Sequence, residues 1–278
     1  MKKYAKILSL LLAVMMTIGL FAGCSDSSTT PSTEPSNNPT GSGSTPEFTT
    51  ITEGVLTMST SADFPPYEMT DDNGGFIGID VEVAEAIAKK LGLTLQINDM
   101  GFDASITACQ NGASDIVMAG LTVNEDRLAV INFSDSYAKG VQVVIVKEDS
   151  DITSIDDLEG KQIGTQMGTT GYFYCSDTPD NGGYGEENVT AYESGITAVE
   201  ALKNGQVDCV VIDNEPAKVF VKENPGLKIL DTEFTNEDYA IGVNKSNTAL
   251  LDAINGALAE LISEGTFQNI VDKYITAE

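Results

Sequence analysis

Short apolar runs alternate with amphipathic stretches along most of this chain. Residues 55–61 read as a strand, and a polar turn follows at Asp71-Asp-Asn-Gly-Gly75. Over 81–91 the apolar positions Val83, Ala84, Ile87, Ala88 and Leu91 recur at helical spacing, and Gly92 closes the helix. Residues 93–97 predict the next strand. A short helix over 105–109 ends at Asn111-Gly112, and 115–119 predicts a buried strand. Strands that alternate with helices imply a largely parallel sheet covered on both faces.

The pattern repeats once. Ala108-Cys-Gln-Asn-Gly-Ala-Ser-Asp115 is echoed by Ala201-Leu-Lys-Asn-Gly-Gln-Val-Asp208, each a helix stopping at Asn-Gly before an apolar strand leaves the aspartate. Five residues further on lie Gly120 and Asp213, at equivalent strand ends, where open α/β sheets place their ligands. Two such ends predict two lobes facing each other across a cleft. The apolar stretches 140–147 and 239–244 are candidates for the crossings between lobes. Residues 249–262 and 266–274 read as helices that return to the first lobe.

The N-terminus has a different composition. Lys2 and Lys3 precede an apolar segment over 7–22, and small residues lead to Cys24, the layout of an export signal rather than a membrane span. From residue 25 to 49 the chain is Ser, Thr, Pro, Asn and Gly, which predicts a flexible tether spanning roughly 25–30 Å root-mean-square. The expected organisation is a signal over 1–23, tether over 24–49, lobe one over 50–140, lobe two over 141–238 and the return over 239–278.

Charge then narrows the chemistry. Without residues 1–23 the chain carries 12 basic against 42 acidic residues, which excludes nucleic acid as a partner. It has no histidine, so imidazole metal sites and histidine acid–base catalysis are excluded. Cys109, Cys175 and Cys209 lack metal-ligand spacing; they read as buried thiols, with a Cys175–Cys209 disulfide as the alternative. No cofactor is expected. The single arginine, Arg127, directly follows the apolar strand of lobe one, and its planar fork suits bidentate capture of a carboxylate.

Five motifs in order make the chain resemble the bacterial solute-binding proteins of family 3, the polar amino acid receptors of ABC importers. They are Phe64-Pro-Pro-Tyr-Glu68, the run from Gly78 to Leu91, Ala119-Gly-Leu-Thr-Val-Asn-Glu-Asp-Arg127, Asn132-Phe-Ser-Asp-Ser-Tyr137 and Gln166-Met-Gly-Thr-Thr-Gly171. The resemblance implies a two-lobed periplasmic-binding-protein-like fold of type II, each lobe a mostly parallel α/β sheet flanked by helices, joined by two hinge strands. It implies a monomer that delivers its ligand to a membrane permease. It also makes Cys24 resemble the lipid acceptor of bacterial lipoproteins, although Phe21 stands where that pattern usually has leucine. Two lipid chains would hold the protein at the outer face of the cell membrane.

The resemblance further implies residue roles. Arg127 takes the ligand α-carboxylate with Thr122, while the Gly120 backbone and Asp213 take the α-ammonium. Thr170, in a turn with Gly168 and Thr169, adds donors for the carboxylate. Phe64 and Phe102 sandwich the ligand side chain. Local helix capping is the alternative reading of Thr122 and Thr170. Ser61 stands where relatives with cationic ligands place an acid, which argues for a neutral polar side chain such as glutamine, and Gln166 fits its amide. Asp63 and Glu68 are nearby acids that weaken this preference. Two other outputs remain open: a sensing module feeding a signalling receptor, and an enzyme such as a dehydratase or cell-wall lytic enzyme on the same architecture.

Overall fold

The computed structural model describes residues 48–231 and 235–275. The export segment, Cys24 and most of the tether lie outside the described residues. Among those described, no helix is long and apolar enough to cross a membrane.

Val55–Thr60 is an interior strand of the first sheet, and both of its faces are covered. Leu56 and Met58 are fully buried in the main apolar cluster on one side, while Ser59 is fully buried among polar partners on the other. Thr94–Asp99 and Ile116–Val117 pair with it in parallel, and Gly242–Asn244 and Ile131–Phe133 extend the sheet in antiparallel fashion. The helix Ile79–Lys90 starts two residues earlier than its apolar spacing predicts. Its first N–H groups are satisfied by the carbonyls of Pro66 and Tyr67 at 3.1 and 2.9 Å, so no capping side chain marks the start. The helix Phe102–Gln110 also begins early, behind Gly101 and without a side-chain cap. Helices Thr248–Ser263 and Thr266–Tyr274 pack on Ile79–Lys90, with Lys90 Nζ 3.0 Å from both Glu260 and Glu264.

The second sheet has Val189–Tyr192, Ile163–Gln166 and Cys209–Asp213 in parallel, then Ala138–Lys147 antiparallel to Cys209–Asp213. Ala138–Lys147 is long because it crosses between lobes. Its first half pairs with Thr235–Tyr239 and its second half with Leu227–Ile229. The return crossing is thus Thr235–Tyr239, upstream of the predicted 239–244. The polar character of Thr235, Asn236, Glu237 and Asp238 hides it from a reading by apolar pattern. Gly242–Asn244 instead fills the gap between Ile116–Val117 and Ile131–Phe133. Cys109, Cys175 and Cys209 are buried free thiols.

The internal echo has a structural cause. Asp115 Oδ2 accepts from Thr57 N at 2.8 Å and from its hydroxyl at 2.5 Å, and Oδ1 accepts from Ile51 N at 2.9 Å. Asp208 Oδ2 accepts in the same way from Gln162 N at 2.8 Å. Each aspartate latches the start of the neighbouring strand and fixes the register from which the strand ends at Gly120 and Asp213 are counted. Asp115 is buried and Asp208 exposed, so the two latches differ in weight. Asp115→Ala should destabilise the fold by about 2–4 kcal/mol, because it orphans buried donors to a charged acceptor. Asp208→Ala should cost about 1 kcal/mol or less, since water replaces its partner. Urea unfolding of the two variants checks the contrast.

Candidate functional site

The strand ends of both sheets open on one cavity. All nine residues singled out from the sequence line it: Ser61, Phe64, Phe102, Gly120, Thr122, Arg127, Gln166, Thr170 and Asp213. Ala119, Asp63, Glu68 and Thr169 complete the lining, and among the described residues it contains no lysine.

Gly120 ends the chain's run along the first sheet with a left-handed φ of 51°, and a Cβ there would come within 2.6 Å of the Phe64 ring. Any side chain at this position would therefore displace the aromatic wall. The Gly120 N–H donates to Asp80 Oδ2 at 3.0 Å. Phe64 also stacks on Tyr67, with centroids 6.0 Å apart.

Arg127 lies in the first turn of Glu125–Val130, and the cap of that helix is Asn124, whose side chain accepts from Arg127 N at 2.8 Å. Thr122 is therefore not the cap. Its carbonyl accepts from Arg127 Nη1 at 2.7 Å, and Gly168 of the second lobe accepts from Nη2 at 3.2 Å. Gly168 makes this approach possible: its φ is 74°, and a Cβ there would overlap the Asp103 carboxylate. The guanidinium carbon lies 5.1 Å from the centroid of the Phe102 ring, so one face of Phe102 is committed to the cation. Arg127 is only 6% exposed, yet among the described residues no carboxylate oxygen lies within 4.0 Å of it. Burial holds its pKa below the usual arginine value, against the pull of Glu237, Asp213 and Asp103.

In the second lobe, Thr169 caps the helix Thr170–Ser176, accepting from Tyr172 N at 3.3 Å. The Thr170 hydroxyl is thus not spent on a cap. Gln166 closes its strand with its amide 3.5 Å from the Glu193 carbonyl. Asp213 is buried, accepts a short hydrogen bond from the Tyr239 hydroxyl, and is pushed up to about 7 by burial and by Glu237.

Acids dominate the remaining wall. The Ser61 hydroxyl donates to Asp63 Oδ1 at 3.1 Å, and Asp63 is raised above its ordinary pKa chiefly by burial. Glu68 is fully buried, and neither of its oxygens meets an N–H or hydroxyl donor among the described residues. Burial and then the neighbouring Asp80 carboxyl hold it well above the usual carboxylate range. Asp80, pushed up to about 6 by burial, is braced by the Tyr137 hydroxyl at 2.7 Å. Sequence reasoning missed Asp80, Glu237 and Tyr239. The first is masked by its place in a helical motif, and the others lie in a strand whose start was read too late.

Comparison with known proteins agrees with this geometry. The family model described as bacterial extracellular solute-binding proteins, family 3, matches residues 56–277. A probable histidine-binding protein of Neisseria gonorrhoeae is 32% identical over 228 residues, 81% of this chain and 84% of that protein. A solved ancestral arginine-binding protein bound to arginine is 40% identical with a TM-score of 0.75, covering 80% of this chain and 98% of that one. An ancestral arginine-binding protein bound to glutamine is 39% identical with a TM-score of 0.75, covering 81% of this chain and all of that one. The chain therefore belongs to the bacterial extracellular solute-binding proteins of family 3, which are binding proteins rather than enzymes.

Proposed function

We propose that this protein is the extracytoplasmic receptor of an ABC importer: it binds a polar L-amino acid between its lobes and presents it to the permease. The carrying observation is the buried Arg127 guanidinium, gripped by carbonyls from both lobes but by no protein carboxylate, with buried Asp213 on the opposite sheet. A buried cation and a buried anion facing one cavity match the two ends of a zwitterion, because each desolvated charge needs a partner. Arg127 takes the α-carboxylate, assisted by Thr170. Asp213 and the Gly120 carbonyl take the α-ammonium. Phe64 and the free face of Phe102 flank the side chain. Export over residues 1–23, lipidation at Cys24 and action as a monomer complete the reading, and they rest on sequence pattern.

The side chain of the ligand carries hydrogen-bond donors. Ser61 and Gln166 suit the amide of glutamine, but charge balance favours a cation such as arginine. Asp63, Glu68 and Asp213 line the cavity against a single guanidinium, so a neutral side chain leaves buried carboxyls to remain protonated. A cationic side chain lets Glu68 ionise against it. That the solved relatives include an arginine-binding protein bound to arginine and one bound to glutamine supports this pair as the candidates. Among the described residues no second cation lines the cavity, which disfavours glutamate and aspartate.

A calorimetric screen of the twenty amino acids, with mass analysis of the recovered ligand, tests the reading. Unaltered arginine and glutamine should bind, arginine more tightly. No heat with any amino acid, or a chemically changed ligand, contradicts it. Arginine binding near neutral pH should also release protons, seen as a binding heat that changes with the ionisation enthalpy of the buffer.

Arg127→Lys should weaken binding by about 2–5 kcal/mol although charge is kept, because the fork is lost at a closed site. Calorimetric titration that finds the variant within twofold of wild type would place the carboxylate elsewhere.

The raised acids give opposite pH trends for stability and affinity. Asp213 ionises near 3.8 when unfolded and about 7 when folded, so its contribution to stability is complete below 3.8 and lost as pH rises through 7. Its carboxylate form, which the ligand ammonium needs, is gained over the same rise. Melting temperature without ligand should therefore fall between pH 4 and 8 while affinity climbs, and Asp213→Asn should flatten both curves.

A further inference from the structure

Behind Arg127 the two crossing strands bring polar side chains onto one face. Glu237 lies opposite Gly140, and Thr235 lies opposite Gln142, so Glu237 and Gln142 are diagonal neighbours on the same side. Gln142 is also opposite Asp213 in the second sheet. Glu237 is 6% exposed and does not line the cavity. Its Oε2 accepts from the Thr122 hydroxyl at 2.9 Å and from Gln142 Nε2 at 3.1 Å. Thr122 precedes the Arg127 helix in lobe one, whereas Gln142 lies on the strand entering lobe two. One carboxylate oxygen thus joins the lobes where the chain crosses between them. Tyr174 of the second lobe faces the same carboxylate, its hydroxyl pushed up to about 12 by burial and then by Glu237.

The link continues to the ligand site. Thr122, held through its hydroxyl by Glu237, gives its carbonyl to Arg127 Nη1. A hydroxyl has one proton to donate, and that of Thr122 goes to Glu237. Thr122 therefore orients the guanidinium, and its hydroxyl has no proton left for a ligand carboxylate.

We infer that Glu237 is a positioning residue that sets the balance between open and closed lobes and, through Thr122, the orientation of Arg127. The inference rests on the reading above that the lobes close on an amino acid. Its quantitative consequence is specific. When only the closed form binds tightly, the apparent dissociation constant is the intrinsic one divided by the closed fraction. A change at Glu237 must then shift the ligand-free closed fraction and the affinity for every ligand by one common factor, leaving the ranking of ligands unchanged. A residue that touches the ligand would alter that ranking instead.

The test uses the full mature chain with spin labels on E85C and E187C, exposed positions in opposite lobes. The three native thiols among the described residues are buried and are not labelled in the folded protein, and Cys24 is replaced by serine to keep it from taking a label. Distance distributions are recorded without ligand, and L-arginine and L-glutamine are titrated separately by calorimetry. E237A should lengthen the ligand-free distances and weaken both ligands by the same factor, about tenfold or more. T122V should act in the same direction, and the double variant should add less than about twofold, since both remove one link. E237Q keeps an acceptor for Thr122 and Gln142 and should restore wild-type distances. An E237A distribution that matches wild type overturns the inference, as does a changed arginine-to-glutamine affinity ratio. If E237A fails to fold, T122V carries the test with the same two readouts. If no amino acid binds the wild type, the receptor reading fails, while the ligand-free distances still decide the role of Glu237.

Discussion

Everything in this site depends on how a buried guanidinium is kept charged without being neutralised by the protein. Arg127 is the only arginine in a chain of 42 acidic residues, yet the described structure places no carboxylate against it. Carbonyls from Thr122 and Gly168 and the Phe102 ring hold it instead. Carbonyl dipoles orient the fork and moderate its desolvation without cancelling its charge, so the remaining donors keep their strength for an incoming carboxylate. An ion pair at this point would fill the site with protein.

The same constraint explains why the acids are held back. Asp213 and Glu237 approach the guanidinium closely enough to act on it electrostatically, but strand register keeps them off it. Asp213 is pinned by Tyr239, and Glu237 is occupied with Thr122 and Gln142. Burial raises the Glu68 and Asp80 carboxyls above their ordinary pKa values, which limits the negative charge they add beside the cavity. Positive and negative ends are thus separated by backbone geometry laid down at the crossing strands, and the aspartate latches at Asp115 and Asp208 fix the strands from which that geometry is counted.

Much of this was legible in the sequence because it is written in local pattern. Apolar periodicity located the main strands and helices of the first lobe and the two C-terminal helices to within a few residues, and the Asn-Gly echo located both strand ends that face the cavity. Helix starts were misjudged where backbone carbonyls of Pro66 and Tyr67 replace a capping side chain, since no residue type announces that arrangement. The return crossing was misplaced because Thr235–Tyr239 is polar and its burial comes from partners far away in the chain. Ser61 and Gln166 pointed to a neutral ligand, with Asp63 and Glu68 weighing against it, and all four line the same cavity.

The most direct test is a crystal structure of the protein in complex with L-arginine. The account predicts both carboxylate oxygens of the ligand on the Arg127 guanidinium at about 2.7–2.9 Å, with its α-ammonium on Asp213. A ligand carboxylate held elsewhere, with Arg127 still facing only the Thr122 and Gly168 carbonyls, would contradict it.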